Sequence, residues 1–229
     1  SSGNINGKLW ENSSYYDLKF DSGDIVSVKA KADIYRGELV LNILNINKFS
    51  HSLYETYGFN SESLVSKVDA DGRELWVNVM KYFPKAGAYK NLIKAIYKDH
   101  KAKVIDFPYD MELPFQKEHS YIYTIYSALK IIDAILLSDF TKDAKSDILY
   151  ALIFLRQFSL ITSYKKNIIY SLKEEADKRG QENMFYDIFK TYKKSIPIDD
   201  YFILEKSLFD SKSTDCTLEV VTANKVFGL

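Results

Sequence analysis

The residues of this chain best placed for chemistry are the neighbours Tyr35 and Arg36. An aromatic ring beside a guanidinium, between two strand-like runs, has no obvious packing duty. The ring offers a π-face and the arginine a charge-assisted contact. Lys29 and Lys31 stand two apart in the preceding run, so an extended backbone puts them on one face. Lys8, Trp10, Tyr15 and Tyr16 come before them. Residues suited to metal or nucleophilic chemistry are scarce. The three histidines, His51, His100 and His119, lie far apart, with His100 amid Lys98, Lys101 and Lys103. Cys216 is the single cysteine, which excludes an intrachain disulfide and a cysteine-based zinc cluster. The doublets Glu174-Glu175 and Asp199-Asp200 place adjacent acids on different sides of a helix, as solvated surface does. No glycine-rich phosphate loop, Gly-x-Ser-x-Gly elbow or His-Glu-x-x-His motif occurs.

The elements that must position these side chains fall into two groups. Residues 24–33 alternate, with Val26, Val28, Ala30 and Ala32 on one face and Ser27, Lys29, Lys31 and Asp33 on the other. A turn at Tyr35-Arg36-Gly37-Glu38 leads into a return strand over 39–46, which makes a hairpin. Residues 5–10 supply one more strand, and 11–21 a polar, aromatic connection with a short helical turn. Residues 49–70 form a connector without a sustained period. From Gly72 the period is helical. Leu75, Trp76, Val79, Met80 and Phe83 make one apolar stripe, and Leu92, Ile93, Ile96 and Tyr97 a second. Further helices are expected over 115–137, rich enough in apolar residues to be central, and over 143–162, 197–208 and 216–227. Lys165-Lys166 and 173–179 read as solvated faces or helix ends.

The chain of 229 residues is long enough for one large domain or two small ones, and 46% hydrophobic content with 27% charge excludes wholesale disorder. Lys+Arg 31 against Asp+Glu 31 gives zero net charge, so any anionic ligand must be met by a local patch. No apolar run approaches the roughly 20 residues of a membrane-spanning helix. One cysteine fits a reducing compartment, and a cytoplasmic location is expected. Lysine in place of arginine, with frequent Asn and Ile, matches an AT-rich coding sequence such as that of a low-GC bacterium or its phage.

The run Gly7-Lys-Leu-Trp10, the segment 23–31 and Tyr35-Arg-Gly-Glu-Leu-Val-Leu41 together resemble the second half of an OB-fold barrel. They are especially similar to the N-terminal OB domain of the YhaM-type 3′→5′ exoribonucleases. The helical part is similar to the HD-type phosphohydrolase domain that follows it in that family. Glu118-His-Ser-Tyr121 onward, Ala151-Leu-Ile-Phe-Leu-Arg-Gln157 and Leu218-Glu-Val-Val-Thr-Ala-Asn224 lie where the family carries its HD motifs. The resemblance implies an α+β chain. An OB module at 1–48, its first strands apparently missing, and a connector at 49–70 would precede an HD-like domain at 71–229. An OB barrel needs five strands and only about three are visible.

The resemblance also assigns roles. OB domains bind single strands with aromatic platforms and a basic groove. It therefore nominates Lys8, Trp10, Lys29, Lys31, Tyr35 and Arg36 for nucleic-acid binding. The metal-ligand positions fall on Ala128, Arg156, Gln157 and Asn224, none of them a histidine or carboxylate. An HD site holds divalent metal through imidazoles and carboxylates. The implied function is a catalytically inactive binder of single-stranded DNA or RNA, with no catalytic residue, metal or cofactor, no membrane, and homo-oligomers left open. The alternatives are an active metal-dependent 3′→5′ exonuclease and a protein-interaction subunit of a replication or transcription assembly. Tyr123, Ile125 and Leu129 are expected to fill the vacated metal cavity.

Overall fold

Alternation of apolar and polar residues builds a sheet at the start of the chain, and a helical period builds most of the remainder. These elements are seen in a computed structural model that describes residues 5–10, 15–16, 19–20, 24, 26–48, 66–111, 116–137, 144–166, 170–209 and 217–228. The chain divides into two units, Ser1–Ser66 and Lys67–Leu229. Most of the expected connector, residues 49–65, lies outside the described residues.

In the first unit Asn6–Lys8 (β1) runs parallel to Glu38–Lys48 (β3), which pairs antiparallel with Val26–Tyr35 (β2), in the order β1-β3-β2. Among the described residues this sheet is open and does not close into a barrel. Tyr35 pairs with Glu38 across a two-residue turn in which Arg36 and Gly37 have φ of 54° and 84°. Both central residues in the left-handed region match the twist of the flanking strands, and glycine reaches it at no steric cost. Lys29 lies opposite Asn45 and Ala30 opposite Ile43, so Leu44 is the extra residue of a β-bulge. Beyond it Ala30, Ala32 and Ile34 sit across from Ile43, Leu41 and Leu39 on one apolar face. Lys29, Lys31, Asp33 and Tyr35 share the other face with Asn42 and Asn45. Gly7 lets β1 approach closely, since a Cβ there would stand 2.8 Å from Ile43 Cδ1.

The second unit is mainly helical. Ser66–Lys67 (β4), at the division, leads into Gly72–Met80 (α1), whose first-turn N–H groups of Arg73 and Glu74 donate to the Asp71 side chain. A 3₁₀ stretch over Phe83–Tyr89 comes next, then Lys90–Asp99 (α2) and Lys101–Asp106 (α3). Lys117–Glu118 (β5) pairs with β4 and precedes Ser120–Leu136 (α4), Ser146–Leu155 (α5) and Phe158–Ser163 (α6). The hairpin Tyr164–Lys166 (β6) and Tyr170–Leu172 (β7) leads to Glu174–Arg179 (α7), Gln181–Thr191 (α8), Ile198–Phe209 (α9) and Leu218–Phe227 (α10).

Four expectations change. The helix expected over 115–137 starts only at Ser120, because Lys117 and Glu118 are drawn into the sheet with β4 and His119 takes φ 66° at the helix entrance. It is not the centre of the core. It buries one stripe and leaves Tyr123 and Ile131 exposed, whereas every residue of α5 from Ile148 to Leu155 is buried. The run of eight residues without a charge can be enclosed on all sides, while Lys130 and Asp133 hold one side of α4 at the surface. The helix expected over 143–162 breaks at Arg156-Gln157, where the Arg156 side chain donates to the carbonyl of Leu208 at 2.9 Å. Lys165-Lys166 belong to β6.

Buried polar groups tie these elements together. Glu118 is buried and accepts from Lys166 at 2.8 Å, with Lys67 at 3.2 Å. Burial alone would raise its pKa, but Lys166 and Lys67 outweigh it and hold the carboxyl below its usual value. A lowered folded pKa means the ionised pair stabilises fully above the ordinary carboxylate range. That contribution disappears as pH falls through the lowered value. Glu118→Gln is expected to lower stability by about 1–3 kcal/mol at pH 7. The deficit should shrink in acid, as read by denaturant unfolding at pH 7 and pH 3. A deficit independent of pH would contradict the ionic role. The lysine-rich stretch is structural in part. Lys103 donates to the carbonyls of Ile161 and Tyr164, and Lys173 to that of Thr162 at 2.5 Å, which satisfies the end of α6. Burial, with the Lys173 charge, brings Lys103 down to about 8.

Candidate nucleic-acid interface

The polar face of the N-terminal sheet gathers four of the six nominated residues at one corner. β1 places Lys8 beside Asn42, and the turn places Tyr35 at the end of β2. The Lys8 ammonium lies 3.9 Å from the Tyr35 ring centroid and 5.6 Å from that of Trp10. The Arg36 guanidinium lies 5.3 Å from the Tyr35 ring. Trp10 is 70% exposed and Tyr35 48%, so neither ring is core. Lys31 and Lys29 continue along the same face, opposite Asn42 and Asn45. Cation and ring alternate here, which suits a π-stacked, anionic strand.

Two residues of this corner were not nominated from the sequence. Trp10 Nε1 donates to Asn42 Oδ1 at 3.2 Å, and Asn42 Nδ2 donates to Asp33 Oδ2 at 3.0 Å. Asp33 Oδ1 in turn accepts from the Ile34 N–H at 2.8 Å. The available signal was the residue type, since Asn and Asp are depleted in strands.

Arg36 carries two duties that substitution separates. Arg36→Asn keeps a residue that tolerates φ > 0 and removes the charge, so the fold should hold while salt-sensitive binding weakens. Arg36→Val puts a β-branched residue at φ 54° and should lower the stability of the hairpin by about 1–2 kcal/mol. Thermal unfolding of both variants checks this, and equal stability would contradict the turn assignment.

The four positions assigned to a degenerate metal site have different surroundings. Arg156 and Gln157 border a cavity of about 210 Å³ with Ser159, Glu182, Phe185, Leu208 and Phe209; Ala128 and Asn224 do not line it. Ala128 is packed in the core, and Asn224 Oδ1 is buried without a hydrogen-bond partner. The Arg156 guanidinium serves the last carbonyls of α9, Ser207 at 3.5 Å and Leu208 at 2.9 Å. Among the described residues no group of three or more His, Cys, Asp or Glu could hold a metal ion. One methyl, two neutral carboxamides and a guanidinium do not fit a divalent cation. Of the three residues expected to fill the vacated cavity, Ile125 and Leu129 are fully buried in the core, whereas Tyr123 is exposed, because it lies on the solvent side of α4. His119 instead bonds the Ile105 carbonyl at 2.8 Å through Nδ1, and His100 packs edge-on against Phe158. His51 lies outside the described residues.

Compared with protein-family models, with curated proteins and with solved structures, the chain matches none. Among the described residues no helix is long and apolar enough to cross a membrane.

Proposed function

We propose that this chain binds single-stranded DNA or RNA on the polar face of its N-terminal sheet and is a catalytically inactive relative of the OB–HD exoribonucleases. The observation that carries the reading is the corner where Lys8 lies against both Trp10 and Tyr35, with Arg36 beside the second ring. Exposed rings supply stacking that any base accepts, and the cations supply phosphate contacts. The inactive part rests on the donor set at Ala128, Arg156, Gln157 and Asn224, which suits no divalent metal.

A fluorescence-anisotropy titration with labelled oligothymidylate and oligouridylate tests the reading. Saturable binding that falls steeply with salt, without nucleotide release in manganese, is the expected outcome. Nucleotide release abolished by chelator would move the chain to the active-exonuclease class.

The opposite face of the same sheet favours a second reading, a protein-interaction subunit. Ile34 and Leu39 pair there at 73% and 58% exposure. Apolar residues held so open suit a protein partner. Under that reading single strands bind negligibly, and Ile34→Lys disrupts a complex without touching the polar face.

A further inference from the structure

The proposed interface contains a device that exposed rings on a flat sheet do not need. Trp10 lies just past the end of the short strand β1 and is 70% exposed, so little of its indole is held by packing. The hydrogen-bond chain from Trp10 Nε1 through Asn42 to Asp33 supplies its orientation. Asp33 is itself fixed by the Ile34 N–H, so the chain ends on backbone. Asn42 is the link: its Oδ1 accepts from the indole and its Nδ2 donates onward. The Lys8 ammonium lies between the two rings, nearer Tyr35.

We infer that Asn42 is the positioning residue of a two-ring platform, Trp10 and Tyr35, which takes two successive unpaired bases with their linking phosphate on Lys8. This rests on the nucleic-acid reading above. In the free protein the ammonium covers the Tyr35 ring. When a base stacks on that ring the ammonium moves to the phosphate, exchanging a cation–π contact for a charge-assisted one. No covalent step is involved. The ligand class is a dinucleotide step of a single strand, and a duplex, whose bases are already stacked on each other, is a poor ligand.

Two measurements test it, one without any ligand. The indole N–H signals of Trp10 and Trp76 appear separately in a ¹⁵N–¹H spectrum. Asn42→Leu should move the Trp10 signal upfield and speed its exchange with water, and leave that of buried Trp76 in place. Thymidine 5′-monophosphate and the 5′-phosphorylated thymidine dinucleotide are then titrated. Wild type should prefer the dinucleotide by roughly 5- to 150-fold, the worth of one stacked base. Asn42→Leu should reduce that preference to near unity. The paired exchange Asn42→Asp with Asp33→Asn keeps an acceptor for the indole and an amide–carboxylate bond, and should restore both readouts. An unmoved Trp10 signal overturns the positioning role whatever the nucleotides do. Equal affinity of wild type for both ligands overturns the platform but leaves the broader reading standing if longer strands bind. Absence of binding to any single strand overturns both.

Discussion

Replacing Tyr35 with Ala weakens binding of a short oligothymidylate roughly 5- to 150-fold, the loss of about 1–3 kcal/mol that one stacked base contributes. The effect should be large because the Tyr35 ring is 48% exposed, open to a base, and stands at the corner that also holds Lys8 and Arg36. Salt response separates it from a charge effect. Tyr35→Ala should lower affinity equally at low and high salt, since the ring contributes no counterion release. Lys29→Ala with Lys31→Ala should instead flatten the salt slope by roughly one unit for each phosphate no longer neutralised. Anisotropy titrations at two salt concentrations read both. Variants indistinguishable from wild type would show that this face is not the site.

The largest stability effect is expected in the helical unit, from Phe154→Ala. Phe154 is fully buried on α5 and meets Phe83 and Tyr97 edge to face, with ring centroids 5.1 and 5.4 Å away. Removing the ring leaves a cavity among helices that cannot collapse onto it, at a cost of about 3–5 kcal/mol. That is a large part of the roughly 5–15 kcal/mol that holds a domain folded. The neighbouring Tyr97→Phe gives the contrast. It deletes only the hydroxyl that donates to the Phe154 carbonyl at 2.7 Å, and should cost about 1 kcal/mol. Chemical denaturation followed by near-UV circular dichroism measures both. Similar losses for the two variants would contradict the placement of Phe154 at the centre of the core.

The sequence made some of this legible and hid the rest for identifiable reasons. The hairpin was visible because alternation through Ala32 and the Tyr35-Arg36-Gly37-Glu38 turn are local signals. The helices from Gly72 to Asp99 were visible because their stripes have one period and their ends have breakers. Which helix lies at the centre was not. Apolar richness pointed to α4, but burial follows the absence of charge, and the shorter α5 has none between Ile148 and Leu155. The break at Arg156 depends on a carbonyl some fifty residues away, which no local pattern reports. At the interface, Tyr35 and Arg36 were legible because a ring and a charge at a turn have no core to enter. Asn42 and Asp33 were not, since their use comes from register: β1 sets Lys8 against Asn42, and only then can Trp10 reach it.

The most direct test of the central claim is photocrosslinking of the protein to short single strands carrying 4-thiothymidine or 4-thiouridine, followed by peptide mapping. The account expects adducts at Trp10 and Tyr35, reduced by Tyr35→Ala and by competing unlabelled single strand but not by duplex. Adducts confined to residues 67–229, or none at saturating protein, would contradict it.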